Sequence, residues 1–426
     1  MISSSESVQI ARALEPGVRE WVLQGFKREF GKQRFESDPR WQAVCDTGTE
    51  LWLDTGDIEG IRKLWKQEFR ALTTNNTLLN KEVQRGLYDD FVRETAAHLR
   101  KLEPSIPDNL FALEIAFVLN AYHGLRLVEN FDAFVSVEEH TDLANDIELT
   151  VLYGKRFHAI CPERFFVKVP LTPEGLLAMR RLRQEQVPIN FTLGFSARQN
   201  YMTARIGNPN FVNVFLGRLN SFVSDSGLGS GEGVGEKATA ASQETLRALR
   251  DRGQVHTRQI AASMRSGDQI WTLAGTDVMT IPLAAAEQYH DSEKAPPMDP
   301  GLTSADIQAE VDADALRKLH FECLWDVPDA LRDALDALSP TDLDHMSGPE
   351  LQNALRNRGV VDLLPEYTSE ELDVFRADGK IPKLEHWRQR LEAGTAGLDS
   401  LLNMSGLHSF ASDQKALDDR VRGLLG

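Results

Sequence analysis

Short apolar runs recur along the first two thirds of the chain, with helix-like sequence between them. Each run is rich in β-branched, aromatic and leucine residues, a composition typical of strands that are buried in a sheet. The predicted strands lie within residues 50–57, 69–72, 131–138, 165–169, 187–193, 211–215, 258–264 and 278–282. Eight short strands that alternate with helices predict an α/β fold, a (β/α)8 TIM barrel. An open doubly wound sheet would more often carry a glycine-rich turn after its first strand.

Helical patterns flank the predicted barrel on both sides. Apolar residues at spacings of three and four, from Val18 to Phe30, predict an amphipathic helix within residues 8–36. Either the barrel or the second subunit of a homodimer must cover its apolar face. After Pro282 the strand pattern stops and a proline-rich stretch follows. The predicted order is a helical extension (residues 1–49), the barrel (50–285), a linker (286–305) and a helical C-terminal region (306–426). The C-terminal region includes a closing helix at residues 410–425.

Lys168 lies near the carboxyl end of an otherwise apolar run. Thr172 and Pro173 follow, and we expect Thr172 to be the N-cap of the next helix with Pro173 at its first position. This βα unit would place an amine at the carboxyl end of a barrel strand, where the active sites of such barrels lie. The spacing alone agrees equally well with a lysine that snorkels at a strand edge.

Other predicted strands also end in polar residues. Considered singly, each of these residues could be an ordinary turn residue, helix cap or solvated side chain. Carboxyl ends of parallel strands meet at one end of a barrel, however, so the set as a whole predicts an active site. The residues concerned, besides Lys168, are Asp54, Glu138, Asn190, Thr192, Arg218 and Arg265.

This combination permits covalent chemistry on a ketone. A lysine can form a Schiff base when its amine is neutral, and desolvation lowers the usual lysine pKa of about 10.4. Glu138 and Thr192, through a water molecule, could move the protons, and Asp54 could take the proton of a hydroxyl group when a C–C bond breaks. The two arginines suit a phosphate group, with Ser263 as a further donor.

Composition restricts the partners of the protein. The chain has 47 Lys and Arg against 64 Asp and Glu, a net charge of −17, which argues against a nucleic acid or an anionic membrane. Cys45, Cys161 and Cys323 are too few and too widely spaced for a disulfide framework or a zinc site. Because the first residues lack the apolar core of a signal peptide, and no apolar run spans a bilayer in length, a cytoplasmic protein is expected.

Residues 224–235 form a glycine-rich segment. They could cradle a phosphate group, but the P-loop spacing is missing and the segment contains acidic residues. A mobile loop over the mouth of the barrel is the favoured interpretation.

The motifs at the strand ends resemble, in the same order, those of the transaldolase family of class I Schiff-base aldolases. The resemblance covers roughly residues 50–285, and residues 410–425 resemble the closing helix of that family. The motifs that carry it lie at residues 53–58, 73–75, 135–138, 168–175, 189–196, 215–218 and 262–265.

The resemblance implies a metal-free transferase without a cofactor, which moves a dihydroxyacetone unit between sugar phosphates in the pentose phosphate pathway. It implies that Lys168 forms the Schiff base and Asp54 handles the hydroxyl proton. Glu138 and Thr192 would hold a catalytic water. The implied substrate-binding residues are Thr73, Asn75 and Asn190 for the sugar, Arg218, Ser263 and Arg265 for the phosphate, and Asn213 where the family usually has serine.

The chain also departs from the family pattern. Asn76 replaces a usual proline and Ser221 a usual acidic residue. Residues 1–49 and 322–395 look like additions to the family. Two alternatives therefore stay open. One is a specialised transaldolase or ketose-phosphate aldolase of a biosynthetic pathway, and the other is an inactive barrel that acts as a binding protein.

Overall fold

A closed barrel of eight parallel strands forms the centre of the protein in the computed structural model, which describes residues 3–301 and 303–426. Each strand pairs with the next one in sequence, and the last pairs with the first. The predicted (β/α)8 TIM barrel is therefore confirmed. The strands are β1 Glu50–Asp54, β2 Phe69–Thr73, β3 Phe134–Glu138, β4 Phe165–Pro170, β5 Ile189–Thr192, β6 Phe211–Phe215, β7 Arg258–Ala262 and β8 Val278–Ile281.

Helices precede the barrel and cover its outer surface. Two of them come before the first strand, α1 Ser4–Val22 and α2 Pro39–Asp46. The connections between strands and the segment after β8 contain α3 Ile58–Leu64, α4 Asn76–Gln84, α5 Asp89–Leu102, α6 Asp108–Phe131, α7 Ile147–Ile160, α8 Pro173–Gln184, α9 Ala197–Gly207, α10 Leu216–Asp225, α11 Val234–Asp251, α12 Asp268–Thr272 and α13 Leu283–Asp291.

The first helix is shorter than predicted. The apolar spacing continues to Phe30, but α1 ends at Val22, and Gly25 adopts φ +82°, a conformation that interrupts a helix. The helix predicted over residues 8–36 is therefore wrong in its second half. The buried face of α1 packs against α5, α6 and α7, so barrel helices rather than a second subunit cover it.

α6 is long and apolar enough to span a membrane, so the expectation that no apolar run reaches that length is wrong. In the structure most of this helix is buried, because it packs against β3 and against α1 and α5. An apolar sequence on all sides is what such a core helix requires. α6 ends at Phe131 and Asp132 follows in the left-handed region at φ 50°, so β3 begins at Phe134 and not at residue 131.

The C-terminal region is helical, as predicted, but its last helix is longer. α13 runs to Asp291, past the expected start of the linker at residue 286, and the closing helix begins at Leu398 rather than at residue 410. Residues 1 and 2 of the predicted extension and residue 302 of the predicted linker lie outside the described residues. The helices are α14 Ala313–Lys318, α15 Asp329–Asp336, α16 Pro340–His345, α17 Gly348–Arg356, α18 Ser369–Asp378, α19 Leu384–Glu392 and α20 Leu398–Leu425.

The last helix, α20, crosses the carboxyl end of the barrel. Asn403 donates a hydrogen bond of 3.0 Å to the carbonyl oxygen of Leu193, directly after β5. Near the other end of α20, Arg420 forms a 2.7 Å ion pair with Asp89 at the start of α5. The helix therefore forms one wall of the space above the strands.

The glycine-rich segment is held by a distant part of the chain. The backbone amide of Gly231 donates a hydrogen bond to the carbonyl oxygen of Glu310 at 3.0 Å. The backbone amide of Glu310 in turn donates to the carbonyl oxygen of Glu232 at 2.8 Å. The segment joins α10 to α11, and none of its residues lines the main cavity described below. The predicted loop over the barrel mouth is thus a connection that pairs with another segment.

Aromatic side chains fill the lower part of the barrel interior. Trp52, Phe134, Phe166 and Phe211 come from four different strands. The ring of Phe166 lies 5.6 Å from that of Trp52, 5.4 Å from Phe134 and 5.1 Å from Phe211, measured between centroids. We call these four residues the aromatic floor. Side chains two positions further along each strand point into the same interior, directly above it.

A buried ion pair fastens the start of α20 to the barrel. Arg198 of α9 donates to both oxygens of Asp399 at 2.8 Å, and the hydroxyl of Ser196 donates to the same carboxylate at 2.6 Å. The side chains of Arg198 and Asp399 are 6% and 0% exposed. Arg198 also forms a 2.9 Å ion pair with the less buried Asp362. Removing the Asp399 carboxylate therefore leaves a buried guanidinium with only part of its compensation.

We expect Asp399→Asn to lower the free energy of unfolding by about 2 kcal/mol, the cost of weakening hydrogen bonds to a buried charge that keeps its pair with Asp362. The matched control is Asp419→Asn, which breaks exposed pairs with Lys415 and Arg422 in the same helix and should cost much less, because solvent screens exposed pairs. Urea unfolding of both variants measures the difference. Equal losses would contradict the fastening role of Asp399.

Glu139 is a second buried group, directly after β3. The residue is 2% exposed, and neither carboxyl oxygen has a hydrogen-bond partner among the described residues. Burial raises its pKa well above the usual range, and the neighbouring carboxylate of Glu138 raises it further. The proton is therefore held more tightly in the folded than in the unfolded protein.

This shift makes the stability of the protein depend on pH. The pKa is higher in the folded state, so stability declines as the pH rises above the unfolded value of about 4.3. Glutamine does not titrate, so the unfolding free energy of Glu139→Gln relative to wild type should increase from pH 5 to pH 8, by up to about 1.4 kcal/mol per pH unit. Urea titrations at both pH values test this. A difference that stays constant between them would count against it.

Candidate active site

The register of the strands brings together polar residues that are far apart in sequence. Lys168 on β4 is paired with Glu138 on β3 and with Asn190 on β5. Asp54 on β1 is paired with Thr73 on β2. Asp54, Thr73, Glu138 and Lys168 lie in the carboxyl-terminal halves of their strands. Asn190 lies earlier in the short strand β5 but is level with Lys168 in the register, so the five residues share the same end of the barrel.

The amine of Lys168 is buried between a carboxylate and a backbone carbonyl. Its Nζ lies 3.6 Å from Oε1 of Glu138 and donates a 3.2 Å hydrogen bond to the carbonyl oxygen of Thr74. The other oxygen of Glu138 accepts a 2.9 Å bond from the amide of Asn76. Burial raises the pKa of Glu138, and the charge of Lys168 opposes this shift. Lys168 itself is only 4% exposed, so it does not snorkel to solvent.

Asp54 approaches the same space from another strand. The hydroxyl of Thr73 donates a 2.8 Å hydrogen bond to Asp54 and lies 2.7 Å from the hydroxyl of Thr280 on β8. Burial raises the pKa of Asp54, whereas the charge of Lys168 acts in the opposite direction. Two carboxyl groups with raised pKa values beside an amine can exchange protons closer to neutral pH than exposed carboxyls do.

A cavity of about 160 Å³ opens above these residues. Glu138 and Thr192 were also predicted for the site, but they do not line it. Glu138 contacts Lys168, and Thr192 is fully buried with a hydroxyl that has no hydrogen-bond partner within residues 3–301 and 303–426. The predicted residues that line the cavity are Asp54, Thr73, Asn75, Lys168, Asn190, Asn213, Arg218, Ser263 and Arg265.

The three asparagines at the cavity are partly engaged inside the protein. Asn75 is the N-cap of α4, and Asn190 donates a 3.0 Å hydrogen bond to the hydroxyl of Ser136. The amide group of Asn213 donates to the carbonyl oxygen of Phe191 at 3.1 Å, and its oxygen accepts a backbone amide beyond β5 at 3.3 Å. Asn213 therefore joins β5 to β6 as well as facing the cavity.

Two arginines face the cavity after β6 and β7. No carboxylate of the described residues lies within 4.0 Å of Arg218 or Arg265. Burial, together with the charge of Arg265, lowers the pKa of Arg218 to about 10. The rings of Phe215 and Phe410 flank Arg218 at 5.5 and 5.4 Å. Arg218 is buried and Arg265 is exposed, and two neighbouring guanidinium groups without a carboxylate partner form a site suited to an anion.

The ends of β6 and β7 approach each other closely at this site. A Cβ atom on Gly217 would lie 2.7 Å from Cγ of Arg265 and closer still to the carbonyl oxygen of Ser263, so a larger residue would separate the two arginines. Ser263 itself has φ +61°, and Leu193 after β5 has φ +66°. Such conformations cost roughly 1–2 kcal/mol for residues other than glycine. Strained backbone therefore occurs beside the cavity.

Several lining residues were missed from the sequence. Thr280 could have been found, because it occupies an inward position on the last strand. Phe410 was placed in the closing helix but not in the site. No sequence pattern pointed to Lys380, since it lies in a turn between helices that follow the barrel. The missed residues are Thr77, Leu78, Phe215, Ile260, Ala262, Met264, Thr280, Pro282, Lys380 and Phe410.

Comparison with known proteins agrees with this geometry. Residues 51–328 match a family model described as transaldolase/fructose-6-phosphate aldolase. A transaldolase of Xanthomonas euvesicatoria pv. vesicatoria (strain 85-10) is 30% identical over 235 residues, 54% of this chain and 71% of that protein. A transaldolase of Protochlamydia amoebophila (strain UWE25) is 25% identical over 315 residues, 72% of this chain and 90% of that protein.

The family match includes all eight strands apart from the first residue of β1, and it includes the residues that line the cavity up to Pro282. It ends before α15, so most of the C-terminal helices lie beyond it. The resemblance found in the sequence motifs is confirmed, and with it an enzyme of the aldolase or transaldolase type. The chain belongs to the transaldolase/fructose-6-phosphate aldolase family.

Proposed function

We propose that this protein is a transaldolase, which transfers a dihydroxyacetone unit from a ketose phosphate to an aldose phosphate through a Schiff base on Lys168. The observation that carries the proposal is the buried amine of Lys168, 3.6 Å from Glu138, in a barrel whose cavity also contains Asp54 and two arginines.

The first step joins the donor to the protein. The amine of Lys168 attacks the ketone carbon, the nitrogen loses a proton and the carbonyl oxygen gains one, which gives a carbinolamine. Loss of water then gives the iminium ion. Glu138 is close enough to move these protons directly or through one water molecule. The hydroxyl of Thr192, which has no partner among the described protein groups, can hold that water.

The second step breaks and forms carbon–carbon bonds. Asp54 takes the proton of the hydroxyl group on the carbon β to the iminium carbon, and the bond between the α and β carbons breaks. The aldose phosphate leaves, and the electron pair of the broken bond forms an enamine on Lys168. The enamine carbon then attacks the aldehyde of the acceptor, and Asp54 returns the proton to the new hydroxyl. Hydrolysis of the iminium ion releases the product.

The phosphate groups of donor and acceptor would bind at the arginines. Arg218 and Arg265 have no carboxylate partner in the described ranges and provide planar donors for phosphate oxygens. The hydroxyl of Ser263, on the same cavity wall, adds another donor. One anion site can serve both substrates, since the aldose product leaves before the acceptor binds.

A ketose-phosphate aldolase is the second candidate, because the matched family also includes fructose-6-phosphate aldolase. The two functions differ only in the fate of the enamine. A transaldolase keeps it until an acceptor aldehyde arrives, whereas an aldolase protonates it and releases dihydroxyacetone.

Incubation with fructose 6-phosphate and erythrose 4-phosphate tests the proposal. We expect glyceraldehyde 3-phosphate to form only when the acceptor is present, and release of dihydroxyacetone without acceptor at the same rate would favour the aldolase. Lys168→Met should reduce turnover by at least about 10³-fold, because the nucleophile is lost. The control is Lys155→Met, a lysine that pairs with Glu185 at the surface.

Borohydride reduction with fructose 6-phosphate locates the covalent step, and mass spectrometry of the peptides reads it. Wild type and Lys155→Met should carry the adduct on Lys168, and Lys168→Met should carry none. Trapping on a different lysine would refute the assignment.

Asp54→Asn should separate Schiff-base formation from bond cleavage. The variant keeps the amine of Lys168 and the carboxylate of Glu138, so borohydride trapping should persist. Turnover should fall by about 10²–10⁴-fold, the usual contribution of a general base. If trapping and turnover decline together, Asp54 acts in forming the Schiff base and not in cleavage.

A further inference from the structure

Lys380 lines the same cavity as Lys168, although it belongs to the C-terminal helices. It lies in the turn between α18 and α19, within residues 322–395, which look like an addition to the family pattern, and outside the family match that ends at residue 328. Its side chain is exposed, and no carboxylate within residues 3–301 and 303–426 lies within 4.0 Å of its Nζ.

The turn that carries Lys380 is fixed by one buried carboxylate. Asp378, with a side chain that is 0% exposed, accepts a 3.0 Å hydrogen bond from the amide of Lys383 and a 2.9 Å bond from the indole of Trp387. Gly379 between them adopts φ +80°, a conformation that favours glycine. The backbone at Lys380 is therefore held in place on both sides, while the amine stays at the cavity.

Aromatic packing connects this turn to the part of the cavity wall that contains Arg218. Phe375 of α18 stacks on Trp387 at 4.0 Å and on His408 of α20 at 6.1 Å. Phe410, two residues further along α20, flanks the guanidinium group of Arg218 at 5.4 Å. The helix that covers Arg218 thus also supports the turn with Lys380.

The charges around the cavity indicate which kind of ligand it could bind. The protein has a net charge of −17, yet three cationic side chains, Arg218, Arg265 and Lys380, face one cavity without a carboxylate within 4.0 Å among the described residues. A phosphate monoester carries nearly two negative charges at neutral pH and offers three acceptor oxygens. Two arginines and one lysine can donate hydrogen bonds to all three phosphate oxygens.

We propose that Lys380 binds the phosphate group of the sugar substrate together with Arg218 and Arg265, so that the added helices form part of the active site. The inference rests on the proposed function in one respect, that the substrate is a sugar phosphate. Lys380 then contributes to the preference for phosphorylated over unphosphorylated sugars and takes no part in the chemical steps at Lys168.

Binding of inorganic phosphate, measured by isothermal titration calorimetry at low ionic strength, tests this without turnover. Lys380→Gln should raise the dissociation constant about twofold to fivefold, the upper part of the range for one solvent-accessible charge contact. The control is Lys383→Gln, an exposed lysine of the same turn that does not line the cavity, and it should bind phosphate as wild type does. Equal urea midpoints would show that all three proteins are equally folded.

Kinetics provide the second readout. Lys380→Gln should raise KM for fructose 6-phosphate and leave kcat and the reaction of unphosphorylated fructose nearly unchanged. Wild-type phosphate affinity in Lys380→Gln would overturn the inference. Absence of phosphate binding in wild type would also overturn it, and would remove the phosphate site from the proposed function. Borohydride trapping on Lys168 is independent of both results, so the two proposals can fail separately.

Discussion

The burial of charged groups above the aromatic floor is the constraint on which this site depends. Lys168 and Glu138 are removed from bulk water, and Asp54 is partly removed from it, which is costly for each of them alone. Their proximity offsets part of that cost, and it couples their proton equilibria. An interior filled by water instead of aromatic rings would leave three ordinary solvated side chains.

The period of two along a strand makes this arrangement possible. Phe166 and Lys168 lie on the same strand and point into the same interior, so one segment supplies part of the aromatic floor and the buried amine above it. The same relation holds between Trp52 and Asp54 on β1. Parallel strands that close into a barrel then bring the carboxyl ends of all eight together.

The C-terminal helices complete the site from the opposite side. α20 begins at the buried pair of Arg198 and Asp399 and crosses the mouth of the barrel. Its Phe410 packs against the guanidinium group of Arg218. The helices that precede it bring Lys380 to the same cavity. The residues proposed for the chemical steps thus lie on the strands, whereas the surrounding helical region contributes Phe410 and Lys380 to the wall of the cavity.

The sequence by itself determined the barrel, because buried strands and the polar residues that follow them are local patterns. It determined Lys168, Asp54, Asn190 and the two arginines as members of one site, since the ends of parallel strands must meet. Only the tertiary structure decided the end of α1, the start of α20 and the place of Lys380. Apolar spacing does not reveal where a helix stops, and contacts between residues hundreds of positions apart leave no local pattern.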